Sequence, residues 1–197
     1  LQAALTSAVE RTFNCVTVDG DTSTNDTLVI LANGASGVRI TPESPAHKAF
    51  CDGLVYVCTH LAKELARDGE GATKLVEIQV RGARSNAQAR KVGKSIANSP
   101  LVKTALFGND PNWGRILCAA GYSGVAIDQE RLALTLCGYP LVREGEPVEF
   151  DEATVSNAMR APEVLIRLDL GQGRSSATVW TCDFSYDYVR INAEYTT

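Results

Sequence analysis

The chain has 197 residues, the length of one domain of about 100–200 residues. Its 45% hydrophobic and 21% charged residues exclude a disordered chain, which combines low hydrophobicity with high net charge. Nineteen Lys plus Arg against 23 Asp plus Glu give a formal net charge of −4, which argues against a nucleic-acid-binding surface, and no apolar run reaches the roughly 18 residues of a membrane-spanning helix.

Leu1, Leu5, Ala8, Val9 and Phe13 fall on one side of a helix predicted over residues 1–13. The chain starts on Leu rather than Met, and no basic n-region or small-residue cleavage site marks a signal peptide. The expectation is the interior of a longer polypeptide, processed or trimmed. Asp19-Gly20-Asp21-Thr22-Ser23-Thr24-Asn25-Asp26 is a dense cluster of turn-forming side chains. The apolar run Leu28-Val29-Ile30-Leu31 predicts a strand buried on both faces, ended by Asn33–Gly37.

Ser44-Pro45 is a helix start, with Ser as N-cap and Pro at the first helical position. Phe50, Leu54, Val57, Cys58, Leu61 and Leu65 follow at helical intervals, and Arg67-Asp68-Gly69 should end the helix. Glu70 therefore sits between a helix end and the strand Leu75–Arg81, where Val76, Ile78 and Val80 alternate with Glu77, Gln79 and Arg81. Ser85 caps a second helix carrying Ala89, Val92 and Ile96, ended by Ser99-Pro100.

Phe107–Arg115 is read as a loop leading into a short helix at Ile116–Ala120. Leu132, Leu134 and Leu136 alternate as in a strand, as do Val164, Ile166, Leu168 and Leu170, with a short helix at Asp151–Arg160 between them. Gly171–Arg174 should turn a hairpin into a strand at Ala177–Cys182. The elements describe a layered α/β (α+β) fold in one domain, residues 1–197.

Familiar chemical motifs are missing. The acidic loop begins like an EF-hand, but its sixth residue is Thr24 and its twelfth Ile30, which argues against calcium. No phosphate-binding loop or nucleophile elbow occurs, and Gly171-x-Gly173 lies in the wrong context for a dinucleotide site. Cys15, Cys51, Cys58, Cys118, Cys137 and Cys182 include no C-x-x-C pair and read as buried free thiols in a reducing compartment. His47 and His60 are not on one helix face and read as structural or surface residues. No metal site is expected.

Three longer motifs are more specific. Val18-Asp19-Gly20-Asp21-Thr22-Ser23-Thr24-Asn25-Asp26-Thr27 closely resembles a signature of the ornithine acetyltransferase family, the bifunctional glutamate N-acetyltransferases. Leu101–Arg115, with Phe107-Gly108-Asn109-Asp110-Pro111-Asn112-Trp113-Gly114-Arg115, looks like a second signature. Tyr188-Val189-Arg190-Ile191-Asn192-Ala193-Glu194-Tyr195-Thr196-Thr197 looks like a third, so the resemblance spans the chain.

The resemblance implies a β chain, released by self-cleavage of a precursor between an alanine and a threonine. It is completed by a separate α chain, commonly in an α2β2 heterotetramer, with a fold similar to the N-terminal-nucleophile hydrolases. The new N-terminal threonine would take the acetyl group from N-acetylornithine and pass it to glutamate in cytoplasmic arginine biosynthesis. Some members also accept acetyl-CoA as a co-substrate, and no resident cofactor is implied. That threonine is expected upstream of Leu1, and the surroundings of Thr6 do not match it, so no nucleophile is assigned within this sequence. A threonine that uses its own α-amine as base also needs no catalytic histidine.

The resemblance carries three substrate contacts onto this chain: Glu70, Asn192 and Thr197. A carboxylate accepts hydrogen bonds from a substrate amine, while an amide both donates and accepts, which suits an amino-acid zwitterion. The Asp19–Thr27 and Asn109–Arg115 segments should line or brace the site, with Lys103 and Arg115 free to hold carboxylates or to be structural. Two other readings stay open: a related self-processing amidase or aminopeptidase, and a non-catalytic assembly chain.

Overall fold

The computed structural model describes residues 1–194. Helix α1 (Gln2–Arg11) leads into a 3-10 turn at Phe13–Cys15. A long irregular segment then reaches α2 (Pro45–Arg67), capped by the Ser44 side chain, which accepts from the His47 N–H. Strand β1 (Leu75–Ala83), α3 (Asn86–Ala97), α4 (Pro100–Gly108) and α5 (Trp113–Gly121) follow. The remainder is β2 (Ala133–Leu136), β3 (Tyr139–Arg143), β4 (Glu146–Pro147), α6 (Glu152–Ala158), β5 (Glu163–Asp169), β6 (Ser175–Cys182) and α7 (Tyr186–Glu194).

The strands form one sheet of order β4-β3-β2-β5-β1-β6. Strand β1 runs parallel to β5 and antiparallel to β6, with Ile78 opposite both Ile166 and Val179. Adjacent strand residues point to opposite faces, and this divides the core in two. Val76, Ile78, Val80 and Val179 pack against Ala89, Val92 and Ile96 of α3. Leu75 and Trp180 meet Ala62 and Ala66 of α2 on the other face. The layered α/β expectation holds.

Several element predictions need correction. Leu28–Leu31 is not a buried strand: it has no strand partner among the described residues, and Leu31 is 88% exposed. A central strand needs neighbours to take its backbone N–H and C=O groups, which composition alone cannot supply. The buried stripe of α2 is Cys58, Ala62 and Ala66, while Val57, Leu61 and Leu65 of the predicted apolar face are exposed. Small side chains let this helix approach the sheet closely.

Gly171–Arg174 does not make a hairpin, because β1 lies between β5 and β6. The connection instead crosses the end of β1, where Leu170 N–H donates to Arg81 O at 2.9 Å and Gln172 N–H to Gly82 O at 2.7 Å. Gly82 has φ +67, and a Cβ there would sit 2.7 Å from the Gly171 nitrogen, so only glycine fits the crossing.

Ser99-Pro100 ends α3 as predicted but also starts α4, with the Ser99 hydroxyl accepting from Val102 N–H. The predicted loop at 107–115 shrinks accordingly. Of the cysteines, Cys15, Cys58 and Cys182 are buried, Cys51 and Cys137 are half-buried, and Cys118 is exposed; all six are free thiols.

Candidate functional site

Glu70 lies in the turn between α2 and β1, and three elements fix that turn. Ala72 N–H donates to Gly69 O at 2.9 Å, closing the turn on itself. Gly71 has φ +66, and a Cβ there would come within 2.4 Å of the Tyr188 backbone nitrogen. Glycine is thus required for the turn to lie flat against the start of α7. The Ser185 hydroxyl donates to Gly71 O at 2.5 Å and accepts from Asp187 N–H at 3.1 Å.

The chain is held again just beyond Gly71 by Asp183, which is buried at the end of β6. One carboxylate oxygen accepts from Thr73 N–H at 2.8 Å and from Lys74 N–H at 3.0 Å, and the other accepts from the Thr73 hydroxyl. The turn is therefore held against the chain that links β6 to α7.

That link carries Asn192 to Glu70. The Asn192 amide donates to Glu70 Oε2 at 2.7 Å and to Tyr188 O, one helical turn back, at 3.0 Å. Both side chains belong to exposed residues. Two of the three expected substrate contacts are thus adjacent. Thr197, the third, lies outside the described residues.

Tyr188 joins the first and third motifs. Its hydroxyl donates to Asp19 Oδ2 at 3.1 Å, and its ring stacks on Phe184 at 4.4 Å between centroids. Burial, the bond to Asp19 and the charges of Asp19, Asp21 and Glu70 push its phenol up to about 12. Asp19 also accepts from Asp21 N–H at 2.9 Å, and Thr17 donates to Asn98 Oδ1 at 2.6 Å, so the acidic loop is anchored at its base. An open groove of about 1430 Å³ runs between this loop and α2, with Asp19, Asp21, Leu61, Leu65 and Asp68 in its walls.

The second motif forms the support behind. Lys103 is fully buried; its Nζ donates to Thr181 Oγ1 at 3.0 Å and to Cys182 O. Lys74 Nζ donates to Leu106 O at 2.5 Å and to Asn109 Oδ1 at 2.7 Å. Burial pulls both ammonium groups below the ordinary lysine value, against the opposing influence of Asp183. Asn109 takes the left-handed cap of α4, and Arg115 donates to Leu101 O at 3.0 Å. Of the two roles open to Lys103, burial selects the structural one: its bonds go to the Thr181 hydroxyl and to the carbonyl and sulfur of Cys182.

Cys51 Sγ and His47 Nε2 are 3.6 Å apart on α2. That pair sits about 24 Å along the helix from the Glu70 end, at 1.5 Å per residue. Sequence reasoning did not single out Asp183 or Ser185. Ser185 carried a usable signal, a hydroxyl two residues before Asp187 at the head of a helix. Asp183 carried only its place directly after a buried strand.

The ArgJ family model matches residues 1–197. The chain belongs to the ArgJ family. It is 52% identical to an arginine biosynthesis bifunctional protein ArgJ of Symbiobacterium thermophilum, covering all of this chain and 49% of that protein. It is 51% identical to a glutamate N-acetyltransferase of Methanosarcina acetivorans, covering all of this chain and 51% of that protein. The chain spans about half the length of the curated ArgJ-family relatives it matches. A crystal structure of the arginine biosynthesis bifunctional protein ArgJ from Bacillus halodurans superposes with a TM-score of 0.96 at 45% identity, covering 98% of this chain and 92% of that one. The fold is therefore that of an ArgJ-family chain. Among the described residues, no helix is long and apolar enough to cross a membrane.

Proposed function

We propose that this chain is the β subunit of a self-processed ornithine acetyltransferase. The enzyme moves an acetyl group from N-acetylornithine to glutamate in arginine biosynthesis, in the cytoplasm. The observation that carries the reading is the Asn192–Glu70 contact, 2.7 Å long, in a chain of this family. The names of the Methanosarcina and Symbiobacterium relatives support the activity and the pathway. A second chain is supported by lengths: the match covers 92% of the Bacillus halodurans chain but about half of the full-length relatives. The partner is an α chain of the same precursor, in a heterotetramer of two α and two β chains.

The chemistry runs in two halves. The hydroxyl of a threonine upstream of Leu1 attacks the acetamide carbonyl and gives its proton to the threonine's own amine. The C–N bond breaks, ornithine leaves with a proton on its nitrogen, and an acetyl ester remains on the threonine. The glutamate amine then attacks that ester, forming N-acetylglutamate and restoring the hydroxyl. The two half-reactions call for no resident cofactor; acetyl-CoA is a co-substrate that some members of the family also accept.

In this chain, Glu70 accepts hydrogen bonds from the substrate's ammonium group, replacing the bond that the Asn192 amide now makes. The freed Asn192 amide turns to the substrate carboxylate, and the Thr197 hydroxyl adds a third contact.

The test uses the complete, cleaved gene product with N-acetylornithine and glutamate. Ornithine and N-acetylglutamate should appear together. Ornithine with free acetate alone would indicate a hydrolase, and no turnover in correctly cleaved protein would leave an assembly role.

A further inference from the structure

The segment that follows Glu70 is gripped at two points, Gly71 and Thr73–Lys74, by side chains that make no hydrogen bond to Glu70 or Asn192 among the described residues. Asp183 is 1% exposed and takes three donors from two consecutive residues, Thr73 N–H, Thr73 Oγ1 and Lys74 N–H. Ser185 is 7% exposed and grips Gly71 O, directly after Glu70. Both come from the short link between β6 and α7, and the Ser185 hydroxyl also accepts the Asp187 N–H at the start of α7. The helix bearing Asn192 and the turn bearing Glu70 are thus tied to a common anchor.

We propose that Asp183 and Ser185 are positioning residues for Glu70, setting where its carboxylate meets the substrate ammonium. The proposal rests on Glu70 being a substrate contact, as in the proposed function. An exposed carboxylate on a turn with two glycines has many conformations open to it, and holding it in place lowers the entropy lost on binding. Fixing the chain at Gly71 and again at Thr73–Lys74 supplies that order without a second group touching the substrate. Three donors on one buried carboxylate also make Asp183 costly to replace, since each would lose its acceptor.

A purely structural role would change stability alone, so the test reads kinetics in the complete, cleaved enzyme. Asp183→Ala, Ser185→Ala, Glu70→Gln and the two double variants are assayed for kcat and KM with N-acetylornithine, with urea unfolding alongside. Ser185→Ala should raise KM about fivefold, the effect of one net hydrogen bond, with kcat within about twofold. In the Glu70→Gln background the same change should move KM less than about twofold, because the positioned group is already altered. Asp183→Ala should follow the same pattern with a larger rise. If it does not fold, the Ser185 cycle decides alone.

Equal KM factors in both backgrounds would overturn the positioning role while leaving Glu70 as a contact. A wild-type KM in Ser185→Ala beside a raised KM in Glu70→Gln would do the same. A wild-type KM in Glu70→Gln itself would remove both the contact and the positioning.

Discussion

Asn192 Nδ2 lies 2.7 Å from Glu70 Oε2, across 122 residues of sequence. Each side chain is exposed, and neither position would attract notice alone. Their contact joins a carboxylate acceptor to an amide that can donate or accept, a combination suited to an ammonium beside a carboxylate. Glu70→Ala in the complete enzyme should lower kcat/KM for N-acetylornithine roughly 10–100-fold, the range for a hydrogen bond to a charged group. Self-cleavage should proceed as in wild type, measured by the appearance of two chains on a denaturing gel. Unchanged kinetics would remove Glu70 from the site.

Tyr188 makes a second long-range tie, from α7 to the acidic loop through Asp19. Tyr188→Phe keeps the stack on Phe184 and removes only the hydroxyl, so it should cost about 1 kcal/mol in urea unfolding. Asp19→Asn should lower the Tyr188 phenol from about 12, since the Asp19 bond and charge help hold it there. Ultraviolet titration of the phenols reads that shift. A phenol that titrates identically in both proteins would mean the two groups do not interact.

Local signals explain which parts of this fold could be read in the sequence. Ser44-Pro45 and Ser85 located the starts of α2 and α3 because a capping hydroxyl acts on the N–H groups of its own turn. Strict alternation revealed β1. By contrast, β2 and β3 are joined by Cys137-Gly138, both with positive φ, at 51° and 89°. A cysteine does not advertise such a turn as Asn or Asp does, so β3 went unread. The insertion of β1 between β5 and β6 is a long-range choice that no hairpin rule detects. The candidate site divides in the same way. Asn192 was recognisable only inside a family motif and Glu70 only through the family resemblance, and Asp183 resembles any surface aspartate until β6 places it under the turn.

Gly71 gives a sharp stability test. Gly71→Ala needs a left-handed backbone, costing about 1–2 kcal/mol, and a Cβ placed 2.4 Å from Tyr188 N must push α7 away. The total should exceed about 2 kcal/mol in urea unfolding, with KM raised as the Glu70 turn moves. Gly108→Ala is the control: it ends α4, and a Cβ there meets nothing within 4 Å. That change should be neutral or stabilising by up to about 1 kcal/mol. Similar losses in both variants would show that the close approach of Gly71 to α7 is not what constrains it.

Lys103 links stability to pH. Burial holds its folded-state value below the 10.5 of an ordinary lysine, although Cys182, Asp183 and Asp19 oppose the shift. Below the lowered value both folded and unfolded chains carry the proton, and pH has no leverage. Between that value and 10.5 the unfolded chain holds a proton that the folded chain has released. Unfolding free energy therefore rises with pH across this window, because the unfolded state binds more protons. Lys103→Met removes the exchange but leaves Thr181 Oγ1 and Cys182 O without their donor, so it should destabilise by about 1–3 kcal/mol. Urea unfolding of both proteins at several pH values approaching 10.5 should show the gap widening in favour of wild type. Lys74 and Lys94, whose values are lowered in the same direction, are common to both proteins and cancel in the difference. A gap independent of pH would mean that Lys103 keeps an ordinary lysine value despite its burial. Its place beneath β6 would then be explained by its hydrogen bonds alone.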